Sequence, residues 1–225
     1  MAASPGVMMQ QAGEEAGSAR VRARWGTISR EQLIMVAMDE IAAGRYEQMT
    51  IRRLAARLDV APMSLYRHVR DKDDLLDEVV DRLLGEVAEP AVDVGDTWAW
   101  VMATVDNFRR FLIEQPAALS VFLAHPVTSP AAMARTRRIL AVLQASGLDE
   151  AAARRAFAAL HTYTIGFAAL EASRARWLAT NQEVSDPDTA WLAAFTGPDQ
   201  FSDGLAALLD WVRRSSGPNA WPPVA

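Results

Sequence analysis

The chain has 225 residues, of which 51% are hydrophobic, and its formal net charge is -5. This length allows one large domain or two smaller ones, and the hydrophobic content suffices for a packed core. Charged residues keep every apolar run below the roughly 18 residues that a membrane-spanning helix needs, and the first 24 residues lack the apolar segment of a secretory signal. We therefore expect a soluble cytoplasmic protein. The absence of cysteine excludes disulfides, thiolate metal sites and cysteine nucleophiles.

Acidic and basic residues are unevenly distributed along the chain. Residues 20–72 contain 11 basic and 6 acidic side chains, whereas residues 73–89 contain seven acidic side chains and one basic. An acidic total counts against nucleic-acid binding, which depends on Lys and Arg. The basic segment, which ends at the one lysine of the chain, Lys72, is compatible with a DNA-binding module. Ordinary solvated helix faces are an equal alternative on charge alone.

The N-terminal third predicts an extension followed by one well-delimited helix. Residues 1–24 are small and polar, so we expect a disordered extension. Three arginines at its end form a candidate basic arm: Arg20, Arg22 and Arg24. The first helix follows Ser29, which forms a capping box with Gln32, and it ends at Gly44.

Short elements follow. A second helix of about nine residues is capped by Thr50, and a turn at residues 59–60 leads to a third helix that opens with Pro62. In the third helix, Leu65 and Val69 are predicted to face inward. A fourth helix is capped by Asp71, carries a wide apolar stripe and stops at residue 90.

The rest of the chain is also predicted to be helical, and no stretch alternates as a strand does. The predicted helices cover residues 97–114, 117–123, 130–147, 149–179, 184–195 and 202–214. The sequence therefore predicts an all-α protein.

Two short helices joined by a tight turn, with a longer helix on each side, are typical of a helix-turn-helix unit. Its second helix must offer side chains to base edges while its inner face stays anchored. The outward residues of this helix are Pro62, Met63, Ser64, Arg67 and His68. Arg52, Arg53 and Lys72 flank them as candidate phosphate contacts, and Tyr66 can give its hydroxyl to a phosphate.

The segment T-I-R-R-L-A-A-R-L-D-V-A-P-M-S-L-Y-R-H-V-R-D-K-D-D-L-L-D, residues 50–77, resembles the DNA-binding signature of the TetR family of transcriptional regulators. H-T-Y-T-I-G-F-A-A-L-E, residues 161–171, is similar to the tetracycline-repressor branch. After the extension over residues 1–24, the resemblance implies a three-helix DNA-binding domain over 25–75 and a helical ligand-binding and dimerisation domain over 76–225.

The resemblance also implies roles for single residues. Base readers would be Arg52, Met63, Ser64 and Arg67, and phosphates would be contacted by Thr50, Tyr66, His68 and Lys72. The family usually has glycine where this chain has Asp59, but Asp tolerates a left-handed backbone better than most residues. Simple packing of the third helix on the fourth is the alternative for Tyr66 and His68, and a solvated helix surface is the alternative for Arg52, Ser64 and Arg67.

The ligand-binding half offers aromatic and polar candidates for a pocket. The aromatic candidates are Trp98, Trp100, Phe108, Phe111, Phe122, Tyr163, Phe167 and Trp177. The polar candidates are Thr104, Asn107, His125, His161, Thr162, Thr164 and Glu171. An aromatic residue at helical spacing is more often core than pocket. His125 before a proline is alternatively a turn residue, and His161 a buried helix contact.

Tetracycline-binding relatives use two histidines to hold the drug and its magnesium ion. The corresponding positions here are Ala88 and Phe122, so the imidazoles of such a site are missing. We therefore expect no metal and no cofactor, and a larger, more apolar effector.

Two helices are candidates for dimerisation. The helix over 149–179 is rich in alanine, which lets another helix approach closely, and the last helix offers Leu205, Leu208, Leu209 and Val212. The family pairs such helices into a four-helix bundle between two subunits, and a two-fold dimer implies a palindromic operator with half-sites about 34–36 Å apart.

Together these features predict a ligand-responsive repressor that binds operator DNA as a homodimer. One alternative is a family member that activates transcription or acts through protein contacts. The other is a helical enzyme, but Glu-x-x-His pairs, H-E-x-x-H, G-x-S-x-G and a P-loop are absent from the sequence.

Overall fold

The computed structural model describes residues 28–90, 96–125, 128–180 and 196–214. Within these ranges all regular structure is helical, which confirms the predicted all-α class. The helices are α1 (Arg30–Ala42), α2 (Ile51–Arg57), α3 (Pro62–Leu65), α4 (Lys72–Glu86), α5 (Thr97–Glu114), α6 (Pro116–Ala124), α7 (Pro130–Ala145), α8 (Glu150–Thr180) and α9 (Pro198–Arg214). The predicted extension over 1–24, with its arginines, and the predicted helix over 184–195 lie outside the described residues. In the described ranges, no helix combines the length and the apolar character that crossing a membrane requires.

The helices begin where the sequence places capping side chains. Ser29 Oγ accepts from the Gln32 backbone N at 3.1 Å, and Gln32 Oε1 accepts from the Ser29 backbone N at 2.9 Å, so the capping box is confirmed. Thr50 accepts from the Arg53 backbone N at 3.2 Å. Asp71 accepts from the Asp74 backbone N at 2.8 Å, which fixes the start of α4. These local contacts satisfy backbone donors that have no partner inside the helix.

Helix bounds differ from the prediction at several places, and three of the differences have a local cause. Helix α2 has seven residues rather than about nine, because Asp59 turns the chain with a positive φ of 54°. Helix α3 has four residues, and the backbone N of His68 and of Val69 both return to the Leu65 carbonyl in a tighter turn. Helix α9 begins at Pro198 rather than at residue 202, since proline is suited to a first turn.

Buried side chains form two clusters that meet along the long helices. The first cluster joins α1–α4 to α6 and to parts of α5 and α8, and the second lies between α5, α7, α8 and α9. Helix α4 contributes its apolar stripe to the first cluster, with Leu75, Leu76, Val79, Val80 and Leu83 all buried. Helices α1–α3 and the rest of the described structure therefore share a core through α4.

The apolar stripe of the last helix, which was predicted to pair with a partner subunit, packs inside its own chain. Leu205, Leu209 and Val212 are buried in the second cluster, and Leu208 is half-buried. The apolar face of α9 packs against α5 and α8 of its own chain, so it is not free to cover a partner subunit. The approach of α9 to α8 is close: a Cβ added at Gly204 would lie 2.1 Å from the Tyr163 hydroxyl oxygen.

Candidate DNA-contact surface and ligand cavity

The third helix is anchored on one side and open on the other. Leu65 and Val69 are buried beneath it, whereas the Met63 side of the helix is open, with Met63 76% exposed. Of the predicted DNA-contacting residues, six are exposed: Thr50, Arg52, Pro62, Met63, Tyr66 and Arg67. Four are half-buried: Arg53, Ser64, His68 and Lys72. A helix that is anchored on its inner face and open on its outer side is the arrangement that reading a DNA groove requires.

The turn between α2 and α3 tolerates its aspartate. Asp59 has the left-handed backbone that the family usually assigns to glycine. The backbone N of Val60 donates to the Ala55 carbonyl at 3.0 Å, which closes the turn. The helix-turn-helix geometry is therefore formed without glycine.

Lys72 is held at the start of α4 by an aromatic ring. Its Nζ lies 5.0 Å from the centre of the Tyr46 ring, in the loop between α1 and α2. Burial and the neighbouring Asp73 carboxylate raise the pKa of Tyr46. The sequence placed Lys72 as a phosphate contact but gave no role to Tyr46, which positions the ammonium group.

A buried carboxylate organises three arginines behind the candidate DNA surface. Glu40 is 1% exposed and pairs with Arg45 at 2.8 Å, with Arg53 at 2.9 Å and with Arg57. The hydrogen bond from Arg45 is the largest cause that lowers the pKa of Glu40, to about 2; burial opposes it, and Arg57 and Arg53 support it. The predicted phosphate contact Arg53 is thus part of an ion-pair cluster that joins α1 to α2.

Sequence reasoning missed Glu40, although one signal was available. Its position matches the apolar face of α1, since Leu33, Ala37 and Ile41 on that face are all buried. A charged residue at such a position needs a partner, because a buried unpaired carboxylate is costly. The three guanidinium groups outnumber the one carboxylate, so the cluster keeps a net positive charge at the half-exposed arginine ends.

A cavity that is partly open to solvent lies among α4, α5, α6, α7 and α8. The lining residues are Leu84, Thr104, Val105, Phe108, Phe122, Ala132, Arg135, Thr136, Ile139, Phe157, Leu160, His161 and Thr164. Five of the predicted ligand contacts therefore meet here: Thr104, Phe108, Phe122, His161 and Thr164.

Stacked and edge-on rings form much of the cavity wall. Phe108 meets Phe122 edge-on with 5.3 Å between ring centres, and the His161 ring stacks on Phe157 at 5.6 Å. Burial lowers the pKa of His161, so the imidazole is neutral at pH 7 and offers one donor and one acceptor nitrogen.

The threonine hydroxyls of the cavity are already used as donors. Thr104 donates to the Trp100 carbonyl at 2.8 Å, and Thr164 donates to the Leu160 carbonyl at 2.7 Å. Their oxygens remain available only as acceptors toward a ligand.

The other predicted ligand contacts lie elsewhere in the structure. Phe111 is buried in the first cluster, and Phe167 is buried in the second, where Trp98 packs at its edge. Asn107 donates to the Ala88 carbonyl at 3.1 Å. Glu171 accepts from the buried Arg109 at 2.7 Å. None of these side chains lines the cavity.

His125 lies beside the cavity rather than in it. It lines a second, more open depression together with Phe122, Phe157 and His161, which also line the main cavity. Its Nε2 is 3.2 Å from a carboxylate oxygen of Asp77 on α4.

Of the two positions that were predicted to correspond to the histidines of tetracycline-binding relatives, Phe122 lines the cavity, whereas Ala88 is exposed beyond the end of α4. No group of three or more His, Asp or Glu side chains arranged to hold a metal ion occurs in the part of the chain that the structure describes.

Helix α4 connects the two candidate sites. Lys72 lies at its first residue, beside the helix-turn-helix unit, and Leu84 near its other end lines the cavity. Between them Asp77 meets His125, and Asp81 accepts a hydrogen bond from the Ser129 hydroxyl. Sequence reasoning missed Leu84, Arg135 and the other α7 residues of the cavity wall, because nothing local in α7 distinguishes a cavity wall from a core face.

Comparisons with known proteins agree with this architecture. The family described as bacterial regulatory proteins, tetR family, matches residues 33–79, and the tetracyclin repressor-like C-terminal domain matches residues 90–210. The chain is 33% identical over 145 residues to an HTH-type transcriptional regulator of Saccharopolyspora erythraea, covering 64% of this chain and 61% of that protein. It is 30% identical over 148 residues to the HTH-type transcriptional repressor DrrR1 of Streptomyces coeruleorubidus, covering 63% of this chain and 53% of that protein.

Among solved structures, the TetR family protein ActR of Streptomyces coelicolor in complex with actinorhodin has the same fold. Its TM-score is 0.66 at 21% identity, and the match covers 85% of this chain and all of that one. The two matched regions of the family together account for most of the described residues. The chain belongs to the TetR family of DNA-binding transcriptional regulators.

Proposed function

We propose that the protein is a ligand-responsive transcriptional repressor, which binds a palindromic operator as a homodimer and is released by a small, largely apolar molecule. The observation that carries this proposal is the course of α4. One helix begins beside the helix-turn-helix unit at Lys72 and reaches the cavity wall at Leu84. A change in the cavity therefore has a direct mechanical route to the DNA side.

On the DNA side, the exposed Arg52, Met63 and Arg67 read bases, with Ser64 beside them. Thr50, Tyr66, His68 and Lys72 contact phosphates, and Arg53 does so from its place in the Glu40 cluster. Pro62 opens the recognition helix. We assign residues 25–75 to the DNA-binding domain and residues 76–225 to ligand binding and dimerisation.

On the ligand side, an apolar cavity with a few polar groups is the kind of site that a small molecule occupies. The similar ActR structure contains actinorhodin, which is a precedent for small-molecule binding in this fold. The similar DrrR1 is named as a repressor, which favours repression over activation. A cavity built largely from aromatic and aliphatic side chains favours a largely apolar effector.

Dimerisation is assigned to the outer face of α8. Along this face small exposed residues recur at helical spacing, among them Ala158, Thr162 and Gly166. Further along, Leu170 and Trp177 are large hydrophobic side chains that are more than half exposed. A second subunit that packs here buries both and approaches closely over the small residues.

Repression and release follow from linkage between two states of α4. Operator DNA stabilises the arrangement in which two recognition helices match successive half-sites, about 34–36 Å apart. A ligand that packs better against a shifted Leu84 stabilises another arrangement, and its binding free energy then opposes that of DNA.

The direct test begins with selection of bound fragments from a library of random duplex DNA by the purified full chain. We expect an enriched sequence with two-fold symmetry, bound by two subunits in sedimentation experiments. A reporter placed behind that sequence should be silenced by the protein. Enrichment of no sequence contradicts operator binding, and a reporter that is activated identifies the alternative, an activating member of the family.

A further inference from the structure

The wall of the cavity contains a charged side chain that the proposed function does not use. Arg135 on α7 lies among aromatic and aliphatic neighbours, and its side chain is 22% exposed. Among the described residues that line the cavity, it alone carries a formal charge at neutral pH, since His161 is kept neutral by burial. An apolar cavity has no need of such a group for packing, and desolvating a charge is costly.

The carboxylate that pairs with Arg135 in the described part of the chain balances it poorly. Glu89 lies 3.9 Å away and is 63% exposed, and it approaches the neighbouring Arg138 more closely, at 3.0 Å. Among the described residues, these two guanidinium groups thus share one solvated carboxylate, so the local charge beside the cavity is positive. Burial lowers the pKa of Arg135, Glu89 opposes this effect, and Arg138 adds to it.

A guanidinium in this position is suited to an anion. Its planar fork forms two parallel hydrogen bonds to a carboxylate or a similar oxyanion, and such charge-assisted bonds are stronger than neutral ones. Exclusion of water by the surrounding rings strengthens them further.

We propose that the effector is an aromatic anion, with its rings against Phe108, Phe122 and Phe157 and its negatively charged oxygens on Arg135. This inference rests on the proposed function, because it specifies the ligand of the same cavity. The proposed effector is thereby specified as a largely apolar molecule that carries a single acidic group. The neutral His161 and the threonine oxygens provide no second positive charge, so a second acidic group has no partner in the described cavity wall.

Two fluorescent probes that differ only in charge test the proposal. 1-Anilinonaphthalene-8-sulfonate is an aromatic anion, and N-phenyl-1-naphthylamine is the same ring system without the sulfonate. Titration of the full-length protein should give a Kd for each probe. In Arg135→Gln, we expect the Kd of the sulfonate probe to rise by about tenfold or more, as for the loss of a charge-assisted pair. The Kd of the neutral probe should stay within about twofold, since that probe makes no ionic contact.

Three further variants make the result specific to the cavity. Arg154→Gln removes an exposed arginine on α8 that pairs with Glu150 and does not line the cavity, and it should leave both Kd values unchanged. Arg135→Lys keeps the charge and should retain part of the preference for the sulfonate. Ile139→Trp fills the cavity and should weaken both probes, which shows that they bind there.

Each remaining outcome overturns a different statement. An equal loss of both probes in Arg135→Gln assigns Arg135 a packing role and contradicts the anion site. Unchanged binding of both probes contradicts it as well. If the wild-type chain binds neither probe, the cavity itself is contradicted and ligand control of the proposed repressor with it. Operator binding by the wild type is measured without a probe, so it does not depend on any of these three outcomes.

Discussion

His125 Nε2 lies 3.2 Å from a carboxylate oxygen of Asp77, so the residue that follows α6 is tied to the middle of α4. One turn further along α4, Asp81 accepts a hydrogen bond from Ser129, the N-cap of α7. Both ends of the α6–α7 connection are therefore fixed to the helix that leads to the DNA side. His125 also borders Phe122 and His161, which line the cavity, so this contact is a route from ligand to α4.

Asp77→Ala should destabilise the protein more than a neighbouring surface substitution does. Its removal leaves the buried His125 ring without this partner, and an unsatisfied buried polar group costs about 1–3 kcal/mol. Urea unfolding at pH 7 gives the free energy of unfolding. Glu78→Ala is the matched control, because its pair with Arg30 is solvent-exposed and such pairs contribute about 0–1 kcal/mol. Equal losses in the two variants would contradict a stabilising role for the His125 contact.

Tyr66→Ala and Arg67→Ala should each weaken operator binding by about 1–3 kcal/mol while the protein remains dimeric. Both side chains are exposed directly after α3, so their loss should leave the fold intact. Fluorescence anisotropy with the selected operator gives the Kd. Arg154→Ala removes an exposed arginine on α8 that is paired with Glu150, and it should bind as the wild type does. Unchanged affinity in both α3 variants would refute the DNA-contact assignment.

Glu40→Gln should lower the free energy of unfolding at pH 7 by roughly 2–3 kcal/mol. Breaking a buried ion pair costs about 3–5 kcal/mol. We expect a smaller loss here because the three arginines are half-exposed. The pKa of Glu40 is lowered from 4.5 to about 2 by folding. Its stabilising contribution is therefore complete above pH 4.5 and is lost as the pH falls toward 2.

The difference between wild type and Glu40→Gln should accordingly shrink when urea unfolding is repeated at pH 3. Asp39→Asn, an exposed neighbour on the same helix, serves as the control and should show little effect at either pH. If the difference in free energy of unfolding between wild type and Glu40→Gln were as large at pH 3 as at pH 7, the ionised carboxylate would not be its cause.

Features that depend on neighbouring residues were predictable from the sequence. The caps at Ser29, Thr50 and Asp71 involve side chains and backbone groups three residues apart, so a short motif contains all the partners. The turn at Asp59 is local for the same reason.

Features that depend on distant residues were not predictable. Arg135 reaches the cavity only because α7 packs beside α5 and α8, and its weak pairing depends on Glu89, 46 residues earlier in the chain. The stripe of α9 shows the same limit: an apolar face predicts burial, but the sequence does not say whether the covering surface belongs to the same chain. Leu205 and Leu209 prove to be covered from within.

Gly204→Ala should destabilise the protein, although alanine is normally the better helix former. A Cβ at this position would lie 2.1 Å from the Tyr163 hydroxyl oxygen and 2.9 Å from the ring carbon that bears it. The ring is fixed by stacking on Phe201 at 5.3 Å and by a hydrogen bond from its hydroxyl to the Phe201 carbonyl. Overpacking of this kind costs about 1–3 kcal/mol, which exceeds the gain in helix propensity.

The matched substitution Gly85→Ala should change the stability in the opposite direction. Gly85 is also helical, but nothing lies within 4 Å of the added Cβ. There the change should stabilise the protein by about 0.5–1 kcal/mol, since only the conformational freedom of glycine is lost. Thermal and urea unfolding of the two variants measure both effects. If Gly204→Ala proved as stabilising as Gly85→Ala, the close crossing of α8 and α9 at Tyr163 would be incorrect.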